Sequence, residues 1–223
     1  MTVNYDYDRA IRIGMPEAVY CEGKDAGSLN AILAELARRP DHPVLFTRLT
    51  SAMLAALDPA AAAALDHDSV SNTALLHGCL PKRDGCVAIV AAGTSDLRVA
   101  MEALRTLEFA GLDASVIADV GVAGLHRLLD RIDEIRGYDV IIVVAGMDAA
   151  LASVMGGLTG KPLIAVPTSV GYGIASGGTT ALHAMLASCG QGVLVTNIDN
   201  GFGAACGAIR ILGLLRKGSL QGG

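Results

Sequence analysis

Residues 86–109, CVAIVAAGTSDLRVAMEALRTLEF, decide the fold. A short β-branched run, Val87–Ala92, leads into Gly93-Thr94-Ser95-Asp96, and apolar side chains then recur at helical spacing over Asp96–Phe109. Strand, small-residue loop and helix in this order form half of a βαβ unit. The unit recurs downstream. Strands are predicted at Ser115–Ala118, Val140–Ala145, Leu163–Pro167 and Val193–Asn197, with helices at Gly124–Arg136, Asp148–Leu158, Gly178–Ser188 and Ala204–Leu215. Such alternation predicts a parallel, doubly wound sheet covered on both faces, a three-layer α/β/α sandwich over residues 86–223.

Upstream the pattern is different. Residues 1–85 predict a small N-terminal α/β region with short helices at Asp8–Gly14 and Ala60–Leu65, a longer one at Ala26–Arg39, and one strand at Val44–Arg48. Asp84-Gly85 marks the turn out of it. Hydrophobic residues make up 52% of the 223 and aromatics only 4%, so the core is built from aliphatic side chains. The net charge of −5, with no cluster of Lys and Arg, argues against a nucleic-acid partner. The five cysteines have no metal-ligand spacing (Cys79 and Cys86 are seven apart), which predicts reduced thiols. MTVNYDYDRA has no apolar signal region and no apolar run is long enough to span a bilayer, so a soluble cytoplasmic protein is expected.

Open parallel sheets bind ligands at the carboxyl ends of their strands. There the chain places Gly93-Thr94-Ser95-Asp96, Gly146-Met147-Asp148, Thr168-Ser169-Val170-Gly171-Tyr172-Gly173, and Asn197-Ile198-Asp199-Asn200-Gly201. Each loop enters a helix, where backbone N–H groups and the helix dipole favour an anion. Each also has a plainer reading. Ser95 or Asp96 caps its helix, Asp148 is a first-turn charge, and Asp199-Asn200-Gly201 is a tight turn. Gly171, Gly173, Gly177 and Gly178, four glycines within eight residues, point more strongly to close backbone approach by a ligand. The pattern is not GxGxxG after the first strand, so no dinucleotide fingerprint is assigned. Leu182, Met185, Leu186 and Cys189 share helical spacing, which makes a buried, inert thiol the ordinary reading of Cys189. His126 and His183 read as structural.

The blocks GTSDLRVAMEAL, DVGVAGLHRLLDRIDEIRGYDVIIVVAGMDAALASVMGGL, KPLIAVPTSVGYG and MLASCGQGVLVTNIDNGFGAACGA, with RAIRIGMPEAVYCEGK near the start, resemble the LarB family of nickel-pincer cofactor carboxylases. That family is related to PurE, the aminoimidazole ribotide carboxylase. The resemblance implies a flavodoxin-like, PurE-like domain and a homo-oligomer, from a dimer up to eight subunits. It implies carboxylation of the pyridinium C5 of nicotinic acid adenine dinucleotide by CO2 or bicarbonate, with hydrolysis of the phosphoanhydride to release AMP. NAD would be a substrate analogue. The family's nucleophile falls on Cys189. Its base falls on Asp148, where the family usually has Glu. No tightly bound cofactor is implied. Magnesium is compatible with the hydrolysis, and no metal ligand is assigned. A PurE-type carboxylase or mutase, and a non-enzymatic nucleotide-binding domain, are the alternatives.

Overall fold

The computed structural model describes residues 3–219. The described residues form two compact units, one from residues 3–82 with Phe109–Gly111, the other from Arg83–Glu108 and residues 112–219.

The first unit contains, in order, α1 (Arg9–Ile13), β1 (Val19–Tyr20), α2 (Ala26–Leu36), β2 (Val44–Thr47), α3 (Ser51–Ala55), α4 (Pro59–Ala63), β3 (Asp66–Asp68) and β4 (Thr73–Leu76). Its sheet runs β1-β2-β4-β3. Sequence reading gives one strand here, and the structure has four. Of the missed strands, β1 and β3 are too short for a period to show, and β3 reads Asp-His-Asp, a polar edge with no apolar face. Arg48, expected inside β2, adopts φ 58° and ends it. Leu29, Leu33 and Leu36 of α2 pack on Val44 and Phe46 of β2, with the buried thiol of Cys21 beside them. Burial pushes that thiol up to about 12.

The second unit contains β5 (Cys86–Ala91), α5 (Leu97–Phe109), β6 (Asp113–Ile117), α6 (Leu125–Leu129), α7 (Ile132–Arg136), β7 (Val140–Ala145), α8 (Ala150–Leu158), β8 (Leu163–Pro167), α9 (Thr179–Leu186), β9 (Val193–Val195) and α10 (Gly201–Ser219). The sheet order is β6-β5-β7-β8-β9, every neighbour parallel. This is the flavodoxin-like order, whose connections reverse direction between β5 and β7. All six residues of β7 are buried, and alternate ones serve opposite faces. Ile141 and Val143 meet Leu151, Ala152 and Met155 of α8, Ala181 and Met185 of α9, and Leu128 and Ile135. On the other face α10 packs on β7 and β8, with Gly201 against the Val99 carbonyl of α5. Each fully buried Leu, Ile or Val contributes roughly 1.5–3 kcal/mol of transfer free energy.

Helix boundaries differ from expectation at informative places. The helix expected over Gly124–Arg136 is two, because Arg131 leaves helical geometry at φ −109°, ψ 0°. The helix expected from Asp148 starts at Ala150, because Met147 and Ala149 turn left-handed. The helix expected to reach Ser188 ends at Leu186. Cys189 therefore lies beyond the apolar stripe that seemed to bury it, and it is exposed. Among the described residues, no helix is long and apolar enough to cross a membrane.

Candidate active site

A cavity of about 270 Å³ opens at the carboxyl ends of β5, β6 and β7, in the crevice where the connections reverse. Its wall is formed by Gly93, Ser95 and Asp96 after β5, by Gly121–Ala123 after β6, by Gly146–Leu151 after β7, and by Val170 after β8. Of the residues predicted from sequence, Gly93, Ser95, Asp96, Gly146, Met147 and Asp148 meet here, while Thr94 is exposed and lies outside the lining.

The loop after β7 is the most constrained of these. A Cβ on Gly146 would lie 2.3 Å from the Val170 carbonyl oxygen and 2.6 Å from Thr168 Oγ1, so only glycine lets the loops close. Met147 then donates its N–H to Val170 O at 2.9 Å, and Ala149 donates to Gly146 O at 2.9 Å. Met147 (φ 55°) and Ala149 (φ 52°) are left-handed without being glycine, a strain of about 1–3 kcal/mol each that the surrounding contacts hold in place. The turn lifts the Asp148 carboxylate to the exposed rim, where its one described hydrogen bond is a long 3.4 Å contact from Ala150 N. The first-turn charge expected from sequence is thus weakly tied to its helix.

Asp96 does more than cap. Its carboxylate is almost fully buried and accepts from Gly93 N at 2.9 Å, from Thr168 Oγ1 at 2.7 Å and from the Gly146 backbone. One side chain thereby ties together the loops after β5, β7 and β8. Burial pushes this carboxyl above its usual range, while the hydrogen bonds oppose the shift.

Asp199, Ser169 and Arg98 form a second cluster. Asp199 accepts from Ser169 N (2.9 Å), Ser169 Oγ (2.6 Å) and Arg98 Nη2 (2.8 Å). Burial would raise its carboxyl, but the Ser169 bonds and the guanidinium outweigh it and hold it below its usual value. Asn200 accepts from Gly203 N at 2.7 Å, and Asn197 from Ile198 N at 2.9 Å. Glu102 is buried and accepts from Gly201 N at 3.0 Å and Phe202 N at 3.3 Å. The first N–H groups of α10 are therefore engaged by the protein, and none of Asn197, Asp199 and Asn200 lines the cavity. Sequence reading missed Arg98 and Glu102. Both sit on an amphipathic helix, where charged residues ordinarily face water.

The glycine-rich loop after β8 has reasons within its own chain. A Cβ on Gly171 would lie 2.4 Å from Ala175 O, and one on Gly178 would lie 2.7 Å from Thr168 O. Gly173 and Gly177 have open space around them but positive φ. Close approach of a ligand is not needed to account for the four.

Cys189 sits on the turn after α9, outside the cavity lining. Its neighbours are anchored to α8: Ser188 Oγ and Ser153 Oγ are 2.8 Å apart, and Gly190 packs against Gly156. Among the described residues, no three His, Cys, Asp or Glu side chains come together closely enough to hold a metal ion.

The doubly wound domain agrees with the family that comparison with known proteins finds. The chain belongs to the AIR carboxylase family, whose model matches residues 86–221. Residues 1–77 match a second model, the LarB/PurE-like N-terminal domain, which marks the chain as a LarB-like member related to PurE. It is 38% identical over 220 residues to an uncharacterized protein, MJ0165, of Methanocaldococcus jannaschii, covering 95% of this chain and 84% of that one. It is 34% identical over 135 residues to the N5-carboxyaminoimidazole ribonucleotide mutase of the same organism, covering 57% of this chain and 79% of the mutase. The mutase of Pyrococcus horikoshii is 35% identical over 138 residues, 57% of this chain and 72% of that protein.

Proposed function

We propose that this member of the carboxylase family acts on nicotinic acid adenine dinucleotide, adding CO2 at the pyridinium C5 and releasing AMP. One observation carries the reading: the two groups the chemistry needs are both presented outward, the Asp148 carboxylate at the cavity rim and the Cys189 thiol on an exposed turn. The match of residues 1–77 to the LarB/PurE-like N-terminal domain supports it.

A pyridinium ring is electron-poor and does not attack CO2. Addition of the Cys189 thiolate at C4 converts it to an enamine whose C5 is a carbon nucleophile. C5 then bonds to CO2. The Asp148 carboxylate removes the C5 proton, the C4–S bond breaks, and its electron pair leaves with sulfur as the ring regains aromaticity. Covalent addition divides one forbidding step into feasible ones. Water then cleaves the phosphoanhydride to give AMP and the dicarboxylated mononucleotide. The cavity is slightly below the roughly 300–1,000 Å³ of common small-molecule sites, so it takes one end of the dinucleotide rather than the whole. A cytoplasmic setting and a homo-oligomer go with this reading.

The test is direct. Purified protein with bicarbonate should consume nicotinic acid adenine dinucleotide and form AMP in proportion. NAD, which shares the ring, should give a near-ultraviolet dihydropyridine-like band that grows with pH, because only the thiolate adds. The band should be absent in Cys189→Ser. The mutase relatives supply the rival reading, under which aminoimidazole ribotide substrates turn over and NAD gives no band. Turnover of those substrates with a flat NAD difference spectrum would overturn the proposal.

A further inference from the structure

Two of the residues that line the cavity are charged, Asp96 and Asp148, and both are acidic. A dinucleotide brings two more negative charges on its phosphoanhydride. An anion entering such a crevice meets repulsion unless a cation stands beside it.

Arg127 stands there. The loop after β6 gives Gly121, Val122 and Ala123 to the cavity wall. Gly121 lies so close to the end of β5 that a Cβ would meet the Ala92 carbonyl oxygen at 2.9 Å. The next residue past the wall, Gly124, has the Arg127 guanidinium against it: a Cβ there would lie 2.6 Å from Nε and 2.8 Å from Nη2. Backbone conformation does not ask for glycine at this position, since its φ is −122°. What glycine provides is room for the Nε–Nη2 edge.

The remaining nitrogen is tethered. Asp119, just past β6, accepts a hydrogen bond from Arg127 Nη1. It does so from a left-handed backbone, φ 59°, a conformation that Asp tolerates better than most residues. Among the described residues, Nε and Nη2 have no acceptor. These are the parallel N–H groups with which an arginine grips a phosphate through two oxygens. The pair is 40% and 58% exposed, so it adds little to stability. Arg98, two residues past Asp96, is committed elsewhere: its partner Asp199 is 15% exposed and also holds Ser169.

We infer that Arg127 is the phosphate-binding residue of this crevice, its Nε–Nη2 edge taking the phosphoanhydride of the dinucleotide while Asp119 and Gly124 set the position of the guanidinium. This rests on the function proposed above. Bound in this way, the anhydride sits beside the loop after β6, and the pyridinium end of the dinucleotide is left to the cavity and Asp148.

ADP-ribose, which has the phosphoanhydride and lacks the pyridinium ring, is the probe. Calorimetric titration should show it binding wild type, with inorganic pyrophosphate displacing it. Arg127→Gln should bind it about 10–100-fold more weakly, the loss of hydrogen bonds to a charged group. Arg127→Lys should recover part of the affinity, because the charge returns without the fork. Melting temperature should stay near wild type in both variants, which a merely structural arginine would not combine with lost affinity. Gly124→Ala, whose backbone needs no glycine, should also weaken binding by crowding the Nε–Nη2 edge. Equal affinity of Arg127→Gln and wild type, or no binding by wild type, would overturn the inference; if AMP still formed from nicotinic acid adenine dinucleotide, the proposed reaction would stand. Lost affinity in Arg127→Gln, with no AMP formed by wild type, would support the phosphate site and overturn the reaction.

Discussion

Asp96 and Asp199 respond to pH in opposite senses. The bonds to Asp199 favour its ionised form, so their contribution to stability is complete above the ordinary value of 3.8 and is lost as pH falls through the lower folded-state value. Asp96 holds its proton more tightly folded than unfolded. Its contribution is therefore fullest in acid and declines as pH rises past 3.8 through the raised value. Denaturant unfolding should show Asp199→Asn less stable than wild type by about 2 kcal/mol at pH 7, where charged hydrogen bonds are intact. That gap should close below pH 3.8, whereas for Asp96→Asn it should move the other way. At the rim, Asp148→Asn should lose most carboxylation while Asp148→Glu stays active, measured as AMP formed per chain. Unimpaired Asp148→Asn would return this residue to the role of a helix charge. Sequence placed Asp96 on the right loop and gave it a cap. It could not show the hub, because Thr168 lies 72 residues away and nothing local in either segment marks the pair.

At the level of elements, Glu102 closes the start of α10 from another helix. Glu102→Ala should destabilise by about 2–4 kcal/mol, since two N–H groups lose their acceptor and one of them is buried. Glu102→Gln should recover part of that in the same unfolding measurement. Legibility followed length and polarity. The strands β5, β7 and β8 have five or six residues each, nearly all apolar, and were predicted within a residue. In the first unit β1 and β3, of two and three residues, carry too few alternations to register. The shortened α9 was invisible because its apolar spacing runs on through Cys189 while the backbone does not. Loop positions were readable, since every strand end in a parallel sheet faces the ligand side. Which loops form the cavity was not, because strand order is set by long-range pairing.

Across the whole molecule, thiol accessibility separates the cysteines. A brief alkylation of native protein should modify the exposed Cys79 and Cys189 and spare Cys21, as peptide mass mapping would record. Saturating NAD should slow labelling at Cys189 and leave Cys79 unchanged. Equal protection at both would mean that the effect is not local to a ligand. The strand order has a temporal side as well. Val87 of β5 pairs with Val140 of β7, 53 residues downstream. A ribosome extending at about 5–20 residues per second therefore holds the nascent chain for roughly 3–10 s with the apolar strand β5 joined, at best, to one neighbour. The first strand of this sheet to be synthesised is enclosed late, so in the cell this domain's yield is exposed to capture by chaperones and by other nascent chains during that interval.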